Sequence, residues 1–237
     1  MSDDGKMLEP ERRLTWHNEH TCLTIQGAKR SGKSSTGRAL IVSRDLQRRI
    51  FFDPKRDFFQ YAEQVVTTQN ALKRYLEDVE SDWPFSVCYV PKDMDRPDAL
   101  AVVCEEAERL EDTVVIADEL HTATKAHEVR KSVVTFVREC GHSNCGFWGL
   151  SQQPHDVCLD VRSQLNSDEA FYFRLVEQND TDIIRSRRGK DLAKIVSRLP
   201  KFHGFRLIPD IEEPQFFRVD PRGAGALYGL DGRPLDW

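Results

Sequence analysis

The chain has 237 residues, of which 39% are hydrophobic and 31% charged, and its formal net charge is −5 at pH 7. This composition indicates a globular protein in water that is long enough for one large α/β domain. The negative net charge argues against a surface that is basic throughout, but it is compatible with a local basic channel. No apolar run approaches the length of a membrane span, and the best is residues 99–104.

The first residues, MSDDGKMLEPERR, are acidic and polar. They resemble neither a signal peptide nor an amphipathic presequence, so we expect a protein of the cytoplasm. The 6 cysteines are scattered among apolar stretches, which is typical of small buried residues in a reducing compartment. Cys140, His142 and Cys145 lie close in sequence but lack a second paired set at zinc-finger spacing, so a metal site is the weaker interpretation.

Residues 27–34, GAKRSGKS, match the phosphate-binding loop G-x-x-x-x-G-K-[ST] at every fixed position. Backbone N–H groups must wrap a phosphate chain closely, and a Cβ atom at Gly27 or Gly32 would obstruct them. We expect Lys33 to reach the β and γ phosphates and the Ser34 hydroxyl to hold Mg²⁺. A chance glycine-rich turn is the alternative.

The sequence around this loop favours a nucleotide site over a chance turn. The motif requires a strand before it and a helix after it, and residues 21–25 and 35–49 have the matching apolar patterns. We therefore predict that ATP and Mg²⁺ bind here. The predicted nucleotide contacts are Gly27, Ala28, Lys29, Arg30, Ser31, Gly32, Lys33, Ser34 and Ser35.

The stretch after the loop alternates strand and helix patterns. Residues 49–55 form an apolar strand that Pro54 stops, and residues 61–79 indicate short helical pieces. Prolines bracket a predicted strand at 84–91, and a helix is predicted over 97–110. The glutamates of that helix are interpreted as its solvated face.

Residues 113–119 form a nearly continuous apolar run that ends in Asp118 and Glu119, as expected for a parallel strand buried on both faces. Open α/β sheets bind ligands at the carboxyl ends of such strands. We predict that Asp118 binds the water shell of Mg²⁺ and that Glu119 polarises the attacking water as general base. A strand with an acidic helix cap is the alternative, but the phosphate loop supplies the other half of one Mg·nucleotide site.

A predicted helix at 123–139 leads to another apolar strand at 146–151, which delivers Gln152 and Gln153 at its end. A glutamine at a strand tip beside a γ-phosphate can sense that phosphate by hydrogen bonding. An ordinary turn residue is the alternative, and the flanking motifs disfavour it. The residues predicted to act in catalysis therefore include Gln152.

The remaining chain continues the pattern with a strand at 169–175 and a helix at 183–198, which Gly189 interrupts. Two short strands follow at 204–208 and 215–219, and the glycine- and proline-rich end is predicted to be irregular. Apolar strands that alternate with helices indicate an α/β fold with a mainly parallel central sheet and helices on both faces.

We divide the chain into three predicted parts. Residues 1–18 form an N-terminal arm, residues 19–210 form a P-loop ATPase domain, and residues 211–237 form a C-terminal extension packed on the same domain. We see neither an internal repeat nor a low-complexity linker that would indicate a different division.

The chain resembles the FtsK/HerA group of P-loop ATPases over roughly residues 20–210. The resemblance rests on the order and spacing of GAKRSGKSS, FFDPKRDFF, VVIADELH, FWGLSQQP and FYFRLVEQND. Within the group, the chain is most similar to the genome-packaging ATPases of tailless phages and viruses with an internal membrane. The resemblance implies a P-loop NTPase of the RecA/ASCE-like kind, with the catalytic glutamate and sensor glutamine at Glu119 and Gln152.

The resemblance further implies an arginine finger, supplied by a neighbouring subunit from the end of the helix before the glutamine strand. Arg138 is the best match, and Arg130 is the second. The group often has a further arginine near this turn, where this chain has His142. The alternative for Arg138 is a positive charge that stabilises a helix C-terminus.

From the group we expect a hexameric homo-oligomer that moves double-stranded DNA, with genome packaging into a preformed capsid as the leading function. Capsid or membrane vertex proteins would be its partners, in the host cytoplasm or at a packaging vertex of the virion. The alternatives are a conjugation or DNA-processing ATPase of the same group, an ATP-dependent assembly switch, and a small-molecule kinase with an arginine-rich lid.

Two sets of basic residues are candidates for the DNA-binding surface. We expect this surface to contact phosphates and not base edges. A solvated face or a subunit contact is the alternative for both sets. The first set is Arg185, Arg187, Arg188 and Lys190, and the second is Lys125, His127, Arg130 and Lys131.

Overall fold

The computed structural model describes residues 22–79, 83–92, 96–125, 127–165, 169–209, 213–220, 227–229 and 233. The predicted arm at 1–18 and most of the end of the chain lie outside the described residues, so the predicted division into parts stays a prediction. No helix within these ranges is long and apolar enough to cross a membrane.

The described strands form one 10-stranded sheet in the order β10-β9-β8-β7-β1-β6-β5-β2-β4-β3. The strands from β7 to β3 in this order pair in parallel, whereas β8, β9 and β10 add antiparallel pairs at one end. Their bounds are Leu23–Gln26 (β1), Arg48–Phe52 (β2), Gln64–Val66 (β3), Phe85–Tyr89 (β4), Val114–Ala117 (β5), Gly146–Ser151 (β6), Glu169–Phe173 (β7), His203–Leu207 (β8), Gln215–Val219 (β9) and Leu227–Gly229 (β10).

Helices cover both faces of this sheet, because side chains of each strand alternate between two cores. In β2, Phe51 packs with α1, whereas Ile50 and Phe52 pack with α2 to α5. A third cluster joins β7 and β8 to α6 and α7. The helices are Lys33–Ser43 (α1), Gln69–Glu77 (α2), Arg96–Leu110 (α3), Lys131–Glu139 (α4), Leu159–Leu165 (α5), Gln178–Arg188 (α6) and Lys190–Arg198 (α7).

The predicted fold class is thereby confirmed, and the differences lie in individual elements. The helix predicted at 123–139 begins only at Lys131. Before it, the hydroxyl groups of Thr122 and Thr124 donate to the carbonyl oxygens of Glu119 and Leu120, both at 2.8 Å. Such local side-chain bonds compete with helix formation.

Short elements were the ones that the sequence patterns missed. Residues 64–66, predicted to be helical, form the edge strand β3, and α2 begins after Thr68, whose side chain accepts a hydrogen bond from the Ala71 N–H. The strand β10 forms in a stretch predicted to be irregular, and the helix α5 was not predicted. Each is so short that pairing and burial outweigh the local pattern.

Candidate active site

The loop from Gly27 to Gly32 is anchored at the carboxyl edge of the sheet, between β6 and β7. The Gly27 N–H donates to the Ser151 carbonyl at 3.2 Å, and the Ala28 N–H donates to the Arg174 carbonyl at 2.8 Å. A Cβ atom on Gly27 would lie 2.5 Å from the Phe173 Cβ atom, and Gly32 has a φ of +124°. Both glycines are therefore required by packing and backbone conformation, which explains the fixed positions of the motif.

Lys33 begins α1 and is buried, with 6% of its surface exposed. Its Nζ atom donates to the Ala28 carbonyl at 3.2 Å, so the ammonium group lies against the inner side of the loop. Burial lowers the pKa of Lys33 to about 8, although Glu119 and Asp118 act in the opposite direction. A buried cation held by a loop carbonyl is poised for a phosphate group.

The other predicted loop contacts differ in exposure. Lys29 and Arg30 are exposed, Ser31 is buried, and Ser34 and Ser35 are half-buried in the first turn of α1. The Ser31 Oγ atom has no hydrogen-bond partner within the described residues, although it is buried. An unpaired buried hydroxyl of this kind is costly unless a ligand supplies the missing partner.

Asp118 follows β5 and lies buried on the same edge, with an exposed fraction of 2%. Its Oδ2 atom has no hydrogen-bond partner in the described part of the chain. Burial raises the pKa of Asp118 to about 7, and the neighbouring Glu119, Asp57 and Asp53 carboxylates add to the shift. A buried carboxylate oxygen without a partner suits a hard divalent cation.

The Ser34 hydroxyl provides the second oxygen expected of a Mg²⁺ site. Its Oγ atom donates to the Asp57 Oδ2 atom at 3.0 Å, an arrangement the sequence did not predict. Hydroxyl and carboxylate oxygens are the ligands that Mg²⁺ takes together with nucleotide phosphates, so Ser34 and Asp118 fit this ion. When bound, Mg²⁺ would neutralise charge on the phosphate oxygens.

Glu119 adopts a left-handed backbone conformation, with φ 51° and ψ 39°, as residues at functional turns often do. Its carboxylate meets three side chains. The Lys55 Nζ atom lies 2.5 Å from Oε1, the His121 Nε2 atom lies 3.4 Å from Oε2, and the Gln152 amide donates to Oε1. Burial would raise the pKa of Glu119, but Lys55, His121 and Gln152 together hold that pKa below its usual value.

The structure therefore brings Lys33, Asp118, Glu119 and Gln152 to one edge of the sheet. An open cavity of about 510 Å³ adjoins two of them, Glu119 and Gln152. The residues that line it include Ala28, Lys29, Lys55, Glu119, Gln152 and Gln153. The lining combines Lys29, Lys55 and Arg96, which can hold a polyanion, with the general base Glu119 and two further acidic residues, Glu177 and Asp180.

Three site residues escaped the sequence analysis, namely Lys55, Asp57 and His121. Lys55 and Asp57 lie in the turn after β2, and β2 pairs with β5 in parallel. Charged residues that directly follow a buried parallel strand were a usable signal, because such strand ends share one edge. His121 follows Glu119 by two residues, and its Nδ1 atom lies 3.3 Å from the Ser151 Oγ atom.

The predicted arginine finger, Arg138, lies away from the sheet edge that carries these catalytic groups. Arg138 is exposed in the last turn of α4, which leads to the start of β6 and hence to the opposite edge of the sheet. Arg130 precedes α4 and pairs with Asp98, with Nε and Oδ1 2.5 Å apart. Neither residue contacts the described catalytic groups of its own chain, and a role across a subunit contact stays a prediction.

The cysteine cluster has no ligand geometry. Cys140 and Cys145 are buried, and His142 is exposed. Burial raises the pKa of Cys145 to about 11, so its thiol stays protonated. Within the described residues, the one group with metal-ligand spacing is His155, Glu177 and Asp180. Its Asp180 Oδ1 atom already accepts hydrogen bonds from the backbone N–H and the Nδ1 atom of His155.

The sequence matches no protein-family model and no curated protein. Its fold is similar to that of the genome packaging NTPase B204 from Sulfolobus turreted icosahedral virus 2. In the complex with AMP, the TM-score is 0.63 at 18% identity, with 82% of this chain and 96% of that chain covered. In the complex with ATP-gammaS, the TM-score is 0.66 at 16% identity, with 86% and 98% covered.

Two further solved structures have the same fold. For VirB4 of Thermoanaerobacter pseudethanolicus, the TM-score is 0.62 at 12% identity, with 84% of this chain and 89% of that chain covered. For the bacterial conjugative coupling protein TrwBdeltaN70, the TM-score is 0.57 at 10% identity, with 85% and 86% covered. The fold expected from the sequence is thereby confirmed.

Proposed function

We propose that this protein is a Mg²⁺-dependent ATPase that moves double-stranded DNA. The observation that carries the proposal is the convergence of four groups at one sheet edge: the phosphate loop with Lys33, the unpaired Asp118 oxygen, the Glu119 carboxylate and the Gln152 amide. They come from three different strands, and phosphoryl transfer requires these functions side by side.

Each residue has a separate task in this proposal. The loop N–H groups and Lys33 hold and orient the phosphates, while Ser34 and Asp118 bind Mg²⁺. Glu119 accepts a proton from the attacking water, and Gln152 fixes the Glu119 carboxylate and senses the γ-phosphate. The left-handed backbone at Glu119 ends the extended conformation of β5, and the Glu119 carboxylate contacts Lys55, His121 and Gln152.

The finer function that we propose is packaging of a viral genome into a preformed capsid. It is supported by the similarity to B204, whose chain is covered to 96–98%. A hexameric ring, capsid or membrane vertex proteins as partners, and a location in the host cytoplasm or at the virion vertex belong to this proposal. A conjugation ATPase is the second candidate, and the similarity to the coupling protein TrwB favours it.

The DNA grip has two candidate surfaces. Arg185, Arg187 and Arg188 are exposed in the last turn of α6, and Lys190 begins α7. Of the second set, Lys125, His127 and Arg130 line an open polar cavity of about 630 Å³ together with Arg96, whereas Lys131 begins α4 and does not line it. Both surfaces offer cations without a pattern for reading bases, as a grip on phosphates requires.

The test compares ATP hydrolysis with and without duplex DNA. We expect duplex DNA of any sequence to stimulate the wild-type rate, and Glu119→Gln to bind ATP but lose hydrolysis, because an amide cannot accept the proton of the water. Glu105→Gln removes an exposed glutamate of α3 with the same change of charge and should retain the wild-type rate. Loss of ATP binding in Glu119→Gln would make that residue structural, and stimulation by a small phosphoryl acceptor instead of DNA would indicate a kinase.

A further inference from the structure

The turn after β2 carries Lys55, which contacts the general base Glu119, and the backbone of this turn is held by hydrogen bonds and packing. Asp53 is fully buried and accepts hydrogen bonds from the N–H groups of Asp57 at 2.9 Å and Phe58 at 2.7 Å. The Phe58 ring is buried and stacks on Phe51, with ring centroids 5.9 Å apart. The backbone that carries Lys55 is therefore fixed from both ends of the turn.

The side chain of Lys55 has far more freedom than this backbone. It is 46% exposed and lies along the cavity beside the phosphate loop, while its Nζ atom pairs with the Glu119 Oε1 atom at 2.5 Å. A four-carbon stem can swing its ammonium group by several ångströms at little cost in energy. The pair thus joins a movable cation to a carboxylate that is only 5% exposed.

This pairing conflicts with the role proposed for Glu119. Its Oε1 atom contacts both Lys55 and Gln152, and its Oε2 atom lies near His121, so each oxygen already has a neighbour. A general base needs a free lone pair directed at the water. Lys55 and Gln152 together occupy both lone-pair sites of Oε1, so this oxygen can accept a proton from water only after Lys55 has left.

A γ-phosphate is the group that can draw Lys55 away. It brings more negative charge than one carboxylate and offers several acceptor oxygens in the cavity that Lys55 borders. Lys55 lines this cavity from the turn after β2 and Lys29 lines it from the phosphate loop, while Lys33 at the start of α1 lies on the inner side of that loop. Several ammonium groups around one phosphate loop suit a ligand with a chain of phosphates, and of these Lys55 is the one paired with Glu119.

We propose that Lys55 recognises the γ-phosphate: it pairs with Glu119 when the site holds no nucleoside triphosphate, and transfers to the γ-phosphate when one binds. The transfer exchanges one ion pair for another and frees the Glu119 carboxylate for the water. Lys55 thereby links the presence of the third phosphate to the release of the base. This inference rests on the proposed ATPase function.

The test is equilibrium binding of ADP and of ATP-gammaS, each with Mg²⁺, measured by calorimetry. We expect Lys55→Met, which keeps the stem and removes the charge, to weaken ATP-gammaS binding by roughly tenfold to a hundredfold, the range of one charge-assisted hydrogen bond. ADP binding should change by less than about threefold, since ADP lacks the γ-phosphate. Lys55→Arg should restore part of the preference for ATP-gammaS.

Lys73→Met on α2 is the matched control, because Lys73 is an exposed lysine of a helix outside the site. Equal weakening of both nucleotides by Lys55→Met, or no weakening of either, would overturn the inference and leave the ATPase proposal in place. Failure of the wild-type protein to bind either nucleotide would instead overturn the ATPase proposal itself. A melting temperature equal to that of the wild type verifies that the variant is folded.

Discussion

Gly27→Ala should damage both the fold and the phosphate loop, because the structure leaves no room for one methyl group. The added Cβ atom would lie 2.5 Å from the Phe173 Cβ atom and 2.8 Å from the Ser31 Oγ atom. Carbon atoms in contact prefer about 3.5–4.0 Å, so the gap is too small by about 1 Å. The Phe173 Cβ atom belongs to β7 and moves only with its strand, so a rotamer change cannot relieve the contact.

Overpacking of this kind costs about 1–3 kcal/mol. In a domain of this size, each kcal/mol lowers the melting temperature by about 2–4 °C, so the expected fall is about 2–12 °C. Relief of the clash would also push the loop away from β7 and from the Arg174 carbonyl that anchors Ala28. We therefore expect the stabilisation that Mg·ATP-gammaS gives to the wild type to be reduced or lost.

The assay is thermal unfolding with and without Mg·ATP-gammaS. Gly141→Ala is the control, because a Cβ atom on Gly141 would meet nothing within 4 Å. That variant should unfold at the wild-type temperature and keep the full nucleotide effect. A Gly27→Ala protein that behaves like Gly141→Ala in both respects would refute the argument that close approach of the loop to β7 requires glycine.

Two predictions concern assembly and DNA. Arg138→Ala subunits should regain part of the ATPase rate when they are mixed with Glu119→Gln subunits, because an arginine finger supplied in trans contributes about 10³-fold or more. Mixed rings without any recovery of the rate would exclude Arg138 as this finger. For duplex binding, Arg187→Gln with Arg188→Gln should flatten the slope of log K against log salt by about 2 units if both contact phosphates. The pair Lys73→Gln and Arg74→Gln on α2 carries the same charge change and should leave the slope unaltered, and an unaltered slope in both pairs would remove α6 from the grip.

The parts of the site that depend on local chemistry were predictable from the sequence. The phosphate loop needs glycine at two positions for a steric reason, and the acids after an apolar strand fall at its carboxyl end in any parallel sheet. Lys33, Asp118 and Glu119 accordingly lie together as expected. Gln152 was predicted to meet a γ-phosphate, and the structure adds its direct bond to Glu119.

The turn that carries Lys55 was not predictable in the same way. The strand was expected to be stopped by Pro54, whereas β2 already ends at Phe52. Asp53 ends it, because its carboxylate binds the N–H groups of Asp57 and Phe58 and so closes a turn. An aspartate before a proline is compatible with many turns, and the preference for this one comes from the Phe58 ring, which packs in the core.

The contacts of the site follow from the strand order, which differs from the order along the chain. β6 lies between β1 and β5, and β2 lies on the other side of β5. The groups at the ends of these four neighbouring strands are therefore, in spatial order, Lys33, Gln152, Glu119 and Lys55. Adjacent strands are about 4.8 Å apart, so each side chain can reach the next one.

This order explains why Glu119 has Gln152 on one side and Lys55 on the other. Along the chain Lys55 comes before Glu119 and Gln152 after it, separated by 64 and 33 residues. A strand-and-helix pattern gives the elements but not which strand lies beside which, since pairing is decided by packing over the whole sheet. The base and its two partners are thus a property of the topology, because a sheet in which β5 lay beside neither β6 nor β2 would keep every motif and lose the site.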